Sequence, residues 1–296
     1  MLWNNIWCNP FDRMLKKARS AQAKRVLLCW NRGLGDIPLG VYGLVHRVRE
    51  FLPDAEVCVV TRQELEDGFR LLAGITLFID PTWKRWVTVD VDETLQRLGI
   101  PRESFDLIVE KPDPTKWLRH QIGKITPMLC WDPAWDVQAE RFSIPKSFRT
   151  IAVHVHTETG YALWRNWPNA HWQDLFSLLE KEEVQVLLFG LSKEHKFAQK
   201  NIIDLRGETT LYEMLSLIKN RCTHLVALDG GVLAMCYYLD SSFPLNVVTL
   251  WANREHGILR QKVTSPNPLL HHIPLVAPQN DLNALEVVQV FEAVMQ

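Results

Sequence analysis

The sequence predicts an α/β protein made of two successive units, each a parallel sheet covered by helices. Three observations carry that expectation. Short apolar runs of strand length alternate with segments of helical period from Arg25 to Val109. A second alternating set runs from Ile151 to Met295. Between them, Pro127, Pro133 and Pro145 punctuate a stretch without clean periodicity, which reads as the linker from Pro127 to Ser147. The expected organisation is an amphipathic basic extension over 1–23, an N-terminal unit over 24–145 and a C-terminal unit over 146–296. Their sheets are expected to face each other across a cleft.

In chain order, Phe11, Met14, Leu15 and Ala18 recur at i, i+3, i+4 and i+7, one face of a helix, with Arg13, Lys16, Lys17 and Arg19 crowding the other side. Trp3, Ile6 and Trp7 precede it. Such a helix either lies on an anionic membrane surface or packs on the body and solvates its lysines. Arg25–Trp30 is the first strong strand and runs into the glycine-rich turn Asn31–Asp36. A helix fits Pro38–Phe51, because proline is tolerated in a first turn. Glu56–Val60 reads as a strand, Leu65–Leu72 as a helix, and Ile75–Ile79 and Phe105–Val109 as short buried runs. In the second set the strands are Ile151–Val155, Val184–Phe189, His224–Leu228 and Val247–Trp251. The helices are Asn169–Lys181, Leu211–Lys219, Val232–Leu239 and Leu282–Met295.

Composition excludes several classes. The 296 residues are 47% hydrophobic and 23% charged with a formal net charge of −1, so the chain is neither disordered nor a basic nucleic-acid coat. No uninterrupted apolar run has the length of a membrane span, and Met1–Asn5 does not open a signal peptide. The six cysteines lack CxxC spacing and read as buried free thiols of a reducing compartment. His154 and His156 share a strand face without an obvious third ligand, so no metal site is expected. Serine-hydrolase and zinc-protease motifs are absent from the sequence.

Ligands of open α/β sheets bind outside the carboxyl ends of the strands, and two turns sit there. In Arg32-Gly33-Leu34-Gly35-Asp36, the glycines let a substrate approach the backbone. Asp36 either takes a proton from an attacking hydroxyl or caps the following helix. In Asp229-Gly230-Gly231, the free N–H groups at a helix start suit a diphosphate, although the same triplet makes ordinary turns. Arg165, in Trp164-Arg165-Asn166-Trp167-Pro168, can neutralise phosphate oxygens or be surface arginine. Glu194, after strand Val184–Phe189, can accept from ribose hydroxyls or be a helix N-terminal acid.

Taken together these segments resemble glycosyltransferase family 9, the bacterial ADP-heptose:lipopolysaccharide heptosyltransferases of GT-B fold, over about residues 25–251. The resemblance rests on Arg32-Gly33-Leu34-Gly35-Asp36, on Arg165-Asn166-Trp167-Pro168 followed by Trp172 and Leu175, and on Val186–Gly190 with Glu194. It continues through Leu205–Leu211 to Asp229-Gly230-Gly231. It implies two Rossmann-like domains and inverting, metal-independent transfer of a sugar, heptose first, from a nucleotide-diphosphate sugar. The acceptor would be a lipopolysaccharide core or lipid-linked glycan. By the same resemblance Asp36 is the general base, with Arg32, Gly33 and Gly35 in its acceptor-side loop. Arg165, Glu194, Asp229, Gly230 and Gly231 bind the donor, ADP-heptose in the first instance. No cofactor, metal or nucleic acid is implied, and the location is cytoplasmic, peripheral on the inner membrane. Lys84, Arg85, Lys111, Lys116, Arg119 and Lys124 are the cations available to an anionic acceptor. The chain departs from the family in carrying Arg165 where lysine is usual, and Ala234 where a histidine is usual. A non-catalytic nucleotide-sugar or glycan-binding module, or a nucleotide-sugar epimerase or hydrolase, fits the same residues.

Overall fold

The computed structural model describes residues 9–145, 149–157 and 162–296. The chain start, with Trp3, Ile6, Trp7 and Cys8, and the end of the proline-rich segment at Lys146 and Ser147 lie outside the described residues. The chain divides into two compact units, Met1–Leu129 and Cys130–Gln296.

Among the described residues, the main sheet of the first unit holds four strands, β1 (Arg25–Trp30), β2 (Glu56–Arg62), β3 (Thr76–Asp80) and β4 (Leu107–Val109). They form one sheet in the order β3-β2-β1-β4, and all neighbours are parallel. Strands β1 and β2 are buried along almost their whole length, as strands covered on both faces must be. Leu27, Cys29, Cys58 and Val60 share one core with Trp83, Leu95 and Phe105.

Helix α1 (Pro10–Ser20) forms where the periodicity places it, capped by Asn9, whose side chain accepts from the Asp12 N–H at 2.9 Å. Its apolar face points inward. Phe11 and Leu15 are buried, and Phe11 stacks on Trp117 with ring centroids 5.3 Å apart. Arg47 of α2 (Tyr42–Phe51) grips Asp12 through two bonds of 2.8 Å. Burial opposes ionisation of Asp12, but the Arg47 fork wins and holds its carboxyl below the usual range. The face that could have met a membrane is therefore spent on the unit's own packing, and the basic residues Lys16, Lys17 and Arg19 stay exposed. The helix expected from Pro38 begins instead as a π-helical turn, Ile37–Val41, before α2. Short helices follow, among them α3 (Glu66–Arg70) within the expected Leu65–Leu72, and α4 (Val91–Arg97), which was not expected from the sequence.

Among the described residues, the main sheet of the second unit has six parallel strands: β5 (Thr150–His154), β6 (Gln185–Phe189), β7 (Ile202–Asp204), β8 (His224–Leu228), β9 (Leu245–Trp251) and β10 (Leu270–Val276). Their order is β10-β9-β8-β5-β6-β7. Alternate residues Ile151, Val153, Val186, Leu188, Val226, Leu228, Val248 and Leu250 make one face. That face packs on Trp172, Leu175, Phe176 and Leu179 of α5 (Asn169–Lys181), and on Val290 and Val294 of α9 (Val287–Met295). Three more helices complete the unit: α6 (Leu211–Arg221), α7 (Gly231–Tyr237) and α8 (Gly257–Gln261). Helix α6 starts in a reciprocal capping box between Thr210 and Glu213.

The division at 129/130 falls earlier in the chain than the 145/146 boundary expected from the prolines. The reason is side-chain bonding. Asp136 accepts from Lys219 at 2.9 Å and Asn220 at 2.8 Å, and Arg141 pairs with Glu213, so the proline-rich stretch is tied to α6. Among the described cysteines, Cys29, Cys58, Cys222 and Cys236 are buried free thiols, and burial pushes Cys29 and Cys236 up to about 12. Cys130 differs in being exposed.

Candidate active site

Asp36, Glu194 and Asp229 lie in loops that follow the carboxyl ends of parallel strands, Arg165 lies farther along the segment after β5, and each unit is described by itself. In the first unit, β1 leads into Asn31–Asp36. The loop is held by its neighbours. Arg62, buried at the end of β2, donates to the Arg32 carbonyl at 2.7 Å and to Asn31 Oδ1 at 3.3 Å. Burial lowers the Arg62 pKa, Glu64 offsets part of this, and the nearby Arg85 charge adds to the fall. Asn31 Nδ2 in turn donates to the Lys84 and Val87 carbonyls at 2.8 and 3.0 Å. Arg32 extends over the Trp30 ring, 5.4 Å from its centroid.

Asp36 stands at the N-cap position of the π-helical turn, yet its side chain makes no capping bond. It turns back to accept the Gly33 N–H at 3.0 Å. A Cβ on Gly33 would sit 3.2 Å from Asp36 Oδ2 and 3.6 Å from Arg85 Nη2, so glycine lets carboxylate and guanidinium converge on the backbone here. Helix capping therefore does not account for Asp36. A half-buried carboxylate with an arginine beside it, at the carboxyl edge of a parallel sheet, can orient and deprotonate a hydroxyl.

In the second unit three strand ends converge. Trp167 is buried, donates its indole N–H to the Leu285 carbonyl at 3.0 Å and packs edge-on against Trp172. That anchor fixes the preceding Arg165, whose Nε lies 3.5 Å from Asp229 Oδ2. Asp229 follows β8, and Gly230 and Gly231 open α7, whose first N–H groups have no partner within the helix. Thr157, past β5, presses its methyl on Gly230, 3.4 Å from where a Cβ would stand. Thr157 donates its N–H and hydroxyl to Asn166 Oδ1 at 2.8 and 2.9 Å. Gly257 closes the far side. Its φ is +47°, and a Cβ there would overlap Asp229 Oδ1 and approach Trp251 to 2.9 Å.

His256 and Trp164 complete this mouth, with ring centroids 5.0 Å apart, and Arg165 lies 5.3 Å from the Trp164 ring. Burial lowers the His256 pKa and the Arg165 charge lowers it further, while Asp229 pulls it back up. His256, Gly257 and Thr157 were missed in the sequence. No motif marks them, and only the position of Gly257 after strand β9 hinted at a tight approach. Ala234, where the family histidine was expected, is buried inside α7.

Glu194 lies on an irregular loop after β6, exposed, and no helix follows it, so it is not a helix N-terminal acid. The loop is braced by Arg206, which packs against Gly190 and pairs with Asp204 at 2.7 Å. Within the second unit, Arg165, Asp229, Gly230 and Gly231 are brought together. Glu194 lies past the end of the neighbouring strand β6. Among the described residues, no three of His, Cys, Asp or Glu gather as a metal-ligand set.

Residues 132–260, the segment that carries this second cluster, match the family model Glycosyltransferase family 9 (heptosyltransferase). Over this segment the chain is similar to glycosyltransferase family 9. The lipopolysaccharide heptosyltransferase 2 of Salmonella typhimurium is 27% identical over 169 residues, 53% of this chain. The match spans only 42% of that relative's length. Among solved structures, a family 9 glycosyl transferase from Veillonella parvula superposes with a TM-score of 0.63 at 14% identity, over 92% of this chain and 96% of the other. The E. coli ADP-heptose lps heptosyltransferase II gives 0.60 at 16% identity, over 92% and 97%. These likenesses confirm the expected fold, two Rossmann-like α/β units of GT-B type. Asp36 lies outside the segment matched by the family model.

Proposed function

We propose that this family 9-like chain is a glycosyltransferase that moves a heptose from a nucleotide-diphosphate sugar, ADP-heptose in the first instance, to a lipopolysaccharide core or another lipid-linked glycan. The observation that supports it most is the convergence of Arg165, Asp229 and the Gly230-Gly231 helix start beyond two adjacent strands, inside the family-matched segment. One similar structure is an E. coli heptosyltransferase with ADP-2-deoxy-2-fluoro heptose, at TM-score 0.53 and 14% identity.

In this reading the donor diphosphate lies on the amides that open α7, and Glu194 takes ribose hydroxyls. Asp36 removes the proton of the acceptor hydroxyl while its oxygen bonds the anomeric carbon. The bond from that carbon to the diphosphate oxygen breaks, and inversion follows from attack opposite the leaving group. Negative charge grows on the departing nucleoside diphosphate. Arg165 and the fixed amides meet that charge without reorganising, so they stabilise the transition state more than the ground state. These groups supply the positive field that a metal would otherwise provide, and the proposed transfer is metal-independent. The proposed place of action is the cytoplasmic face of a membrane, where such an acceptor resides.

The test is titration with ADP and ADP-heptose, followed by a turnover assay with a heptose-free core acceptor. Binding of both ligands with release of ADP only when acceptor is present supports transfer. Binding without turnover would assign a non-catalytic module, and ADP release without acceptor would assign a hydrolase.

A further inference from the structure

No described helix is long and apolar enough to cross a membrane, and the apolar face of α1 is packed inward. Among the described residues, the first unit presents an exposed apolar turn at the carboxyl edge of its sheet. The loop after β3 carries two indoles with opposite fates. Trp83 is buried and donates to Thr94 Oγ1 at 2.9 Å. Trp86 is 57% exposed, and Val87 beside it is 55% exposed.

The backbone under Trp86 is unusual. Its φ is +66°, a left-handed conformation that favours glycine and disfavours a bulky side chain. The turn closes with the Val87 N–H on the Lys84 carbonyl at 3.2 Å, and Asn31 clasps it from below through both the Lys84 and Val87 carbonyls. The fold thus holds a large aromatic in a costly conformation and gains little burial from it. Strain maintained by such bracing points to a use outside folding.

We propose that the turn Lys84–Val87 docks this chain on an anionic lipid surface, with Trp86 as the interfacial anchor. The inference rests on the lipid-linked acceptor proposed above and adds where the lipid is met. Indole settles at the headgroup boundary, where its ring is in apolar surroundings and its N–H stays wet. Val87 extends the apolar tip. Lys84 is exposed and can meet anionic headgroups, and the half-buried Arg85 guanidinium, 5.0 Å from the Trp86 ring and directed at the Gly33 loop, adds positive potential beside the anchor. The same Arg85 reaches the Gly33 backbone, which ties the docking turn to the loop that bears Asp36. A chain seated by this turn holds its proposed base close to the membrane surface.

The experiment is flotation of the full chain with phosphatidylethanolamine vesicles, with and without phosphatidylglycerol, alongside Trp86→Gly. Glycine suits φ +66°, so this variant should melt at the same temperature as the wild type or higher. Its bound fraction on phosphatidylglycerol vesicles should fall about fivefold or more. A paired Lys16→Glu and Lys17→Glu change on α1 should cost less than half of the binding. Equal flotation of Trp86→Gly and wild type would overturn the proposal, as would a wild type that does not float. A loss seen only as a raised KM for a soluble acceptor fragment, with flotation intact, would also overturn it and make Trp86 a glycan platform. ADP titration of the same samples separates the two readings. ADP binding without flotation removes the docking turn alone, whereas flotation without ADP binding supports the turn and removes the donor site.

Discussion

Replacing Gly257 by alanine tests how tightly the second cluster is built. Two costs add. The first is backbone: at φ +47° an L-residue is disfavoured by about 1–2 kcal/mol. The second is steric. The new Cβ would overlap Asp229 Oδ1 and stand 2.9 and 3.0 Å from two carbons of the buried Trp251 ring. Neither neighbour is a flexible tip, because Asp229 is buried and its other oxygen faces Arg165. Overpacking of this kind costs about 1–3 kcal/mol, so the total expected is about 2–5 kcal/mol. Gly99→Ala is the internal control. Its φ is +67°, but nothing lies within 4 Å of the added Cβ, so only the backbone cost of about 1–2 kcal/mol applies. Urea denaturation, followed in the transition of each unit, gives both numbers. Displacing Asp229 should also disturb Arg165, so Gly257→Ala should weaken ADP binding and Gly99→Ala should not. Equal losses in the two variants would refute the steric argument, and unchanged ADP affinity would separate Gly257 from the site.

Other consequences follow from the same geometry. Asp36→Asn keeps the size of the side chain but cannot take a proton. It should lower kcat by about 10²–10⁴-fold while ADP binding persists, and a wild-type rate would remove Asp36 as the base. Arg165→Ala should raise the ADP Kd by roughly tenfold or more, from loss of a charge-assisted phosphate contact. A variant that binds ADP as tightly as the wild type would place the diphosphate elsewhere. Acid should destabilise the second unit early. Burial holds His154 and His224 at about 4, below the ordinary histidine value of about 6.5, so unfolding takes up protons. The stability they support is fully present above about pH 6.5 and is lost as pH falls through about 4, at up to about 1.4 kcal/mol per pH unit for each. His154→Leu should flatten that slope by one proton, and an unchanged slope would show that His154 does not carry it.

The strands were the most legible part of the sequence. Arg25–Trp30 and His224–Leu228 lie between the residues expected, because buried parallel strands are continuous apolar runs that end abruptly at turns. Helix Asn169–Lys181 was equally clear from its period and the proline before it. Strand β10 was not seen, because Leu270–Val276 carries two histidines and Pro274, which disguise an edge strand. Helix α4 was missed because Val91–Arg97 buries only Val91, Thr94 and Leu95 among acidic and polar neighbours.

The candidate residues of the two units divide in the same way. Asp36, Arg165 and Asp229 were visible because they follow readable strand ends. Thr157, His256 and Gly257 were not, because their roles depend on β5, β8 and β9 being adjacent, and that order is a property of the sheet and not of the chain. The alternatives for Asp36 and Glu194 also needed coordinates. A helix cap and a helix N-terminal acid are local readings, and both give way once the side-chain bond to Gly33 and the irregular loop after β6 are seen.

The most direct measurement is calorimetric titration of the intact chain with ADP and with ADP-heptose, repeated on Arg165→Ala. The account predicts saturable binding of both ligands to the wild type and a loss of roughly tenfold or more for each in the variant. Absence of binding by any nucleoside diphosphate, or equal affinity in wild type and variant, would contradict it.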